Sequence, residues 1–247
     1  MRILIVSALE AEVLPLIRRF SLKKIPIHSG SHDVFAGSIF SHAVTCAVVG
    51  PGKIESMGTL TQILAQENFD AAVIYGYAGS LDPRLSMGDV VTATILVSVQ
   101  DTCRIEVPLA GLASGRVHDA QTLVSLDHIA ANHQERIDLA HQYQANAVDM
   151  ESFYWAKALM EKGICYGVIR GISDDLTLSL PSELPNFLDK NGKMRWRKTL
   201  AIILMKPKIW PAIFKIRNAT RKAQIEMQKV LKDFLKVLET PSDTLRP

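Results

Sequence analysis

The chain has 247 residues, 48 % of them hydrophobic and 21 % charged, which excludes a disordered chain and allows one large or two small domains. Its net charge of +3 hides an asymmetry. Residues 1–189 carry 13 Lys+Arg against 21 Asp+Glu, residues 190–222 carry 11 basic residues and no acid, and residues 223–247 balance at four each.

In chain order, "RILIVSA" predicts a buried first strand, and "LEAEVLPLIRRF" a helix with Pro15 in its middle. "DVFAGSIF" and "AVTCAVVG" read as a hairpin, and "PGKIESMGTLTQILAQENF" as a glycine turn opening an amphipathic helix. A buried strand, a glycine-containing loop and a long β-rich run follow over 70–100. "TLVSLDHIA" reads as a strand, "NHQERIDLAHQY" as a helix, "ANAVDM" as a short strand, and "ESFYWAKALMEKG" as a helix stopped by Gly163. "ICYGVIRGIS" is the last buried strand. Residues 176–207 read as irregular and the end as helical from about Pro211 to Leu238. Alternating strands and helices predict a three-layer α/β fold, its central sheet mixed and largely parallel, flanked by helices. We expect one domain over 1–247, with residues 190–238 forming a basic, amphipathic helical C-terminal region packed on it.

Several familiar chemistries are missing. No G-x-G-x-x-G follows the first strand, "GPGK" lacks P-loop spacing, and there is neither H-E-x-x-H nor G-x-S-x-G. Cys46, Cys103 and Cys165 are odd in number and lack metal or disulfide spacing, so they read as core thiols of a reducing compartment. The apolar N-terminal run is short for a signal peptide and is broken by Glu10 and Glu12; no run suffices for a membrane span.

What is present is a recurrence of acids beside strand ends: Glu10 and Glu12, Asp149 and Glu151, and Asp174 with Asp175 after "VIRGIS". Each alone reads as a helix-start or turn acid. Together, on parallel neighbours, they would gather carboxylates at one rim of the sheet, where open α/β sheets bind ligands. Such a cluster suits glycosidic cleavage, with one acid protonating the leaving group and others positioning sugar or activating water. Adjacent residues of an extended chain face opposite sides, so Asp174 and Asp175 should diverge.

The pieces "RILIVSALEAEV", "VGPGKIES", "YGYAGSLDPRLSMGDVV", "AVDMES" and "VIRGISDD" together resemble the nucleoside phosphorylase and nucleosidase family, which includes methylthioadenosine/S-adenosylhomocysteine nucleosidases. The resemblance implies that Asp174 protonates purine N7 and that Glu12 activates the attacking water. It implies that Glu151, after Met150, binds the ribose hydroxyls, and that Ala78 and Gly79 form the loop behind sugar and base. It casts Ser173 and Arg170 as supports of Asp174, although Arg170 read alone is equally a strand-end salt bridge. As a general acid Asp174 would need burial or a hydrogen bond to hold its proton.

The sequence departs from the family pattern in three places. Tyr77 stands where a small polar residue is usual and could reshape the pocket, Ser80 replaces a glycine, and the second acid of the family's S-D-x-A-D-like motif is missing. No set of arginines for phosphate stands out, which favours water as nucleophile and leaves phosphorolysis open. The run from "DKNGKMRW" through "KPKIWPAIFKIRNATRKA" resembles the hopanoid-biosynthesis branch, associated with removing adenine from adenosylhopane. That branch implies a lipid-linked nucleoside and peripheral contact with the inner face of the membrane. The family implies a cytoplasmic homo-oligomer with no metal or organic cofactor. For the basic segment, packing on the body and protein docking compete with a lipid surface, and nucleic acid is disfavoured because apolar residues are as dense as basic ones. A non-catalytic nucleoside-binding module is the alternative of another class.

Overall fold

The computed structural model describes residues 1–26, 33–110, 118–177 and 210–239. The described elements are β1 (Arg2–Ser7), α1 (Glu10–Phe20), β2 (Lys23–Ile25), β3 (Val34–Ile39), β4 (His42–Val48), α2 (Lys53–Gln66), β5 (Ala71–Ser80) and β6 (Val90–Ser98). They continue with β7 (Cys103–Glu106), β8 (His118–Ser125), α3 (His133–Tyr143), β9 (Ala147–Asp149), α4 (Ser152–Glu161), β10 (Cys165–Asp174) and α5 (Trp210–Glu239). The predicted irregular segment and the basic stretch up to residue 209 lie almost wholly outside the described residues.

Fully apolar runs such as "ILIV" in β1 and "AAVIY" in β5 are buried on both faces, as interior strands of a layered α/β sheet require. The sheet runs β10-β6-β8-β9-β5-β1-β4-β3-β2, and β10 also pairs with β5. The strands β5, β10, β6, β8 and β9 therefore close into a ring, with β1, β4, β3 and β2 extending from it. The described pairings are five parallel and five antiparallel, so the sheet is mixed, as expected, but not largely parallel. Two short strands, β2 and β7, escaped the reading because "KKI" and "CRIE" carry too few apolar residues to show a period.

One apolar layer joins α2 and α4 to the sheet around Leu60, Trp155 and Leu159, and the other joins α1 and α5 around Val13, Met227 and Phe234. Helix α5 lies along β10, where glycines admit it. A Cβ on Gly167 would stand 2.6 Å from the Phe234 ring, and one on Gly171 would stand 2.6 Å from Met227 Sδ. Of the cysteines, Cys46 is buried and Cys165 half-buried, but Cys103 is exposed on β7, which corrects its reading as a core thiol. No helix among the described residues is long and apolar enough to cross a membrane.

Candidate active site

Strands β1, β5 and β10 are parallel neighbours, so their carboxyl ends share one rim. The acids predicted to converge are delivered there. Glu12 reaches the rim from the first turn of α1; it is buried, whereas Glu10 is exposed. Its Oε2 accepts the Leu9 N–H at 2.9 Å and the Ser7 hydroxyl at 2.5 Å, and its Oε1 accepts the Tyr77 N–H at 3.0 Å. The first of these bonds caps α1, so the acid also has a structural duty. Gly76 is required beside it, because a Cβ there would stand 2.7 Å from Glu12 Oε1 and 2.3 Å from Arg170 Nη1.

Strand β9 runs antiparallel to the end of β5, and its last residue is Asp149. Asp149 accepts the Ser125 hydroxyl at 2.6 Å and forms a buried ion pair with Arg170 at 2.8 Å. Met150 follows, half-buried. Glu151 then turns into the site and accepts the Gly52 N–H at 2.8 Å, which ties the β4–α2 turn to the rim. Burial pushes the Glu151 carboxyl up to about 7, and the neighbouring Asp149 adds to the rise; Arg170 and the Gly52 N–H oppose it, and Glu12 adds a little more.

Asp174 ends β10. The pairing with β5 runs Arg170 to Gly76, Gly171 to Tyr77 and Ile172 to Ala78, then slips so that Asp174 meets Gly79. A bulge at Ser173 thus re-aims the acid, as bulges beside functional sites commonly do. Asp174 is buried, while Asp175 is half-buried and accepts the Thr177 N–H and hydroxyl, closing a turn. The adjacent acids therefore diverge. The Ser173 hydroxyl donates to Asp174 Oδ1 at 2.5 Å and lies 3.3 Å from the Ala78 carbonyl.

One expectation is corrected. Arg170 does not support Asp174; its Nε and Nη2 donate to the Ser152 hydroxyl at 3.1 and 2.8 Å, and its guanidinium stacks over Trp155. The cation on Asp174 is Arg136 of α3, buried and ion-paired to Oδ2 through Nη2. Nothing in "NHQERIDL" distinguishes Arg136 from a solvated helix residue, because its contact lies 38 residues away. The phenol of Tyr77 has its ring 3.4 Å from the Cβ position of Gly171 and its hydroxyl 3.4 Å from the Thr220 carbonyl, within electrostatic reach of Glu12. It contacts α5, and its backbone N–H holds the acid. Sequence reasoning also missed Ser125, Ser152 and Gly52, whose roles depend on contacts between distant segments.

Chemically, the rim offers a buried acid level with Gly79 of β5 and a rigidly held carboxylate at Tyr77, two residues back and roughly 7 Å of strand away. Glu151, buried and within electrostatic reach of Glu12, adds a further acceptor. Among the described residues, Arg170 is the cation beside Glu12, and it is already paired with Asp149.

The comparisons with known proteins agree with this architecture. Helicobacter pylori aminodeoxyfutalosine nucleosidase of strain J99 is 25 % identical over 211 residues, covering 76 % of this chain and 92 % of that protein. The structure of the Helicobacter pylori 5′-methylthioadenosine/S-adenosyl homocysteine nucleosidase superposes with a TM-score of 0.72 at 20 % identity, over 96 % of this chain and 98 % of that one. The Neisseria meningitidis 5′-methylthioadenosine/S-adenosylhomocysteine nucleosidase, in complex with methylthio-immucillin-A, gives 0.72 at 17 % identity over 95 % and 98 %. At these identities the superpositions speak to the fold. The profile of the phosphorylase superfamily matches residues 2–111 and 108–205, and with most of its length so matched the chain belongs to that superfamily.

Proposed function

We propose that this chain is a purine nucleosidase that hydrolyses the N-glycosidic bond of an adenosine-type nucleoside and releases adenine. The observation that carries the reading is the gathering of Glu12, Glu151 and Asp174 at one rim, each buried and each held by a different partner. Asp174 protonates purine N7, so the C1′–N9 electron pair leaves onto a neutral base. Glu151 binds the ribose hydroxyls as the sugar gains oxocarbenium character. Glu12 takes the proton of the attacking water. The name of the curated relative, a nucleosidase, supports the class. Glu12 itself supports water over phosphate, because a phosphate dianion would meet its buried carboxylate there.

We further propose adenosylhopane as the substrate, a reading that rests on the sequence resemblance of the C-terminal segment. It is supported by the exposed face of α5, where Lys215, Arg217, Arg221 and Lys222 stand with exposed Phe214 and no acid among residues 214–222. Such a face suits an anionic lipid surface. The rival within the class is a general methylthioadenosine/S-adenosylhomocysteine nucleosidase.

The test is adenine release from adenosylhopane and from methylthioadenosine, each with and without phosphate. Release from adenosylhopane alone, independent of phosphate, is expected; release from methylthioadenosine alone would make this a salvage enzyme. A requirement for phosphate would turn the proposal to a phosphorylase, and tight binding without release to a binding module. Asp174→Asn is expected to lower kcat by about 10²- to 10⁴-fold, the range for a general acid.

A further inference from the structure

We propose that Arg136 is a positioning residue for proton transfer: it stays against Asp174 and stabilises the carboxylate that forms as the proton passes to the base. The inference rests on the nucleosidase reading above.

Both oxygens of Asp174 are engaged. Oδ1 takes the Ser173 hydroxyl at 2.5 Å and Oδ2 takes Arg136 Nη2. The guanidinium is anchored independently of the acid, because its Nε donates to the Ala130 carbonyl at 2.6 Å in the loop that leads into α3. Its Nη1 is buried with no hydrogen-bond partner among the described residues. Gly79 makes the pair possible, since a Cβ there would stand 3.0 Å from Asp174 Oδ2 and 3.2 Å from Arg136 Nη2. The other acids near the rim have their own partners: Asp149 has Arg170, and Asp82 has Arg84 and Asn146. A cation so held, four per cent exposed, is an unusual expense for a surface helix unless the anion beside it matters.

The reaction supplies the reason. Asp174 takes up a proton on Oδ1 as the Ser173 hydroxyl turns to the Ala78 carbonyl 3.3 Å away, and when it gives that proton to the base this O–H bond breaks and N7–H forms. The C1′–N9 pair moves onto the purine, and a water oxygen bonds to C1′ while Glu12 takes that water's proton. Glu12 later returns this proton to solvent and Asp174 regains one from it. Negative charge thus develops on Asp174 during the slow step, in a site where a fixed guanidinium acts through little water. Arg136 touches neither sugar nor base in this scheme; it acts through the acid.

The experiment is a double-mutant cycle of Arg136→Gln and Asp174→Asn, read as single-turnover adenine release from whichever nucleoside the wild type cleaves. Arg136→Gln is expected to lower kcat by about 10²-fold with KM little changed, and Arg136→Lys to recover part of that loss. In the Asp174→Asn background the same change should cost less than about twofold, because no carboxylate remains to stabilise. In parallel, 4-nitrophenyl β-ribofuranoside, whose phenolate leaves without a proton, should be cleaved with a far smaller loss. Equal losses in both backgrounds or on both substrates would make Arg136 a structural residue and overturn the proposal, as would an Arg136→Gln enzyme with wild-type kcat. A wild type that releases no base from any nucleoside would instead overturn the nucleosidase reading itself.

Discussion

At the scale of single residues, one acid of the rim has a structural duty that the acids proposed for chemistry do not share. Asp149 faces Arg170 with both side chains almost wholly buried, so removing either partner strands a charge. Arg170→Gln is therefore expected to destabilise the fold by about 3–5 kcal/mol, seen as a lower Tm, and stability unchanged by this substitution would refute the pair's structural role. Glu151 carries the opposite sign of effect. Its carboxyl is raised above the ordinary carboxylate value, so the folded chain binds more protons than the unfolded chain between about 4.3 and the raised value near 7. Stability from this group is present at low pH and lost as pH rises through that window. Glu151→Gln keeps an acceptor for the Gly52 N–H and removes the buried charge. It should raise Tm at pH 8 relative to wild type, with the difference fading by pH 5, while substrate binding weakens at both. A Tm difference independent of pH would show that Glu151 is not the group responsible.

Elements decide which of those residues meet. The order and type of the long elements, from β1 through β10, were legible because their apolar runs and helical periods are strong, and Gly163 marks the end of α4. The acids at strand ends were legible for the same reason. The partners were not. Arg136, Ser125 and Gly52 reach the rim from α3, β8 and the β4–α2 turn, and no local pattern records a contact made across the fold. The bulge at Ser173 was hidden too, since a run like "RGISDD" fits a regular strand as well as a bulged one. The contact of Tyr77 with α5 was hidden as well, since the seating of that helix depends on glycines of β10. Gly171→Val is accordingly expected to push α5 off its seat, at about 1–3 kcal/mol, and to shift Tyr77, whose ring shares that contact; Gly163→Ala, which meets no neighbour within 4 Å, should cost only the strain of its positive φ. Equal Tm losses in the two variants would argue against the packing account.

For the whole molecule, charge and topology divide the work. The acidic body houses the rim, and the described part of the basic segment forms the first turns of α5, which reaches back to the body through Lys222 at Asp89 and through Gln224 at the Ala11 carbonyl. The helix therefore joins α1, which bears Glu12, to the loop before β6. Of these two contacts, the Lys222–Asp89 pair is exposed and should weaken with salt. Vesicles of anionic lipid are expected to bind the protein at low ionic strength and release it at high salt, and binding insensitive to salt would point to an apolar surface instead.

The ring of strands has a consequence of its own. β5 lies between β10 on one side and β1 followed by β9 on the other, so its amides have partners along most of their length. A strand in a closed circuit cannot peel away as an edge does; its hydrogen bonds open only when the circuit breaks. In deuterium, the amides of β5 should be the last to exchange, at the rate of global unfolding, while those of β2 at the open end exchange early. The backbone that carries Gly76, Tyr77, Ala78 and Gly79 would then be the slowest clock in the protein, and the rim it builds would hold its shape for as long as the chain remains folded.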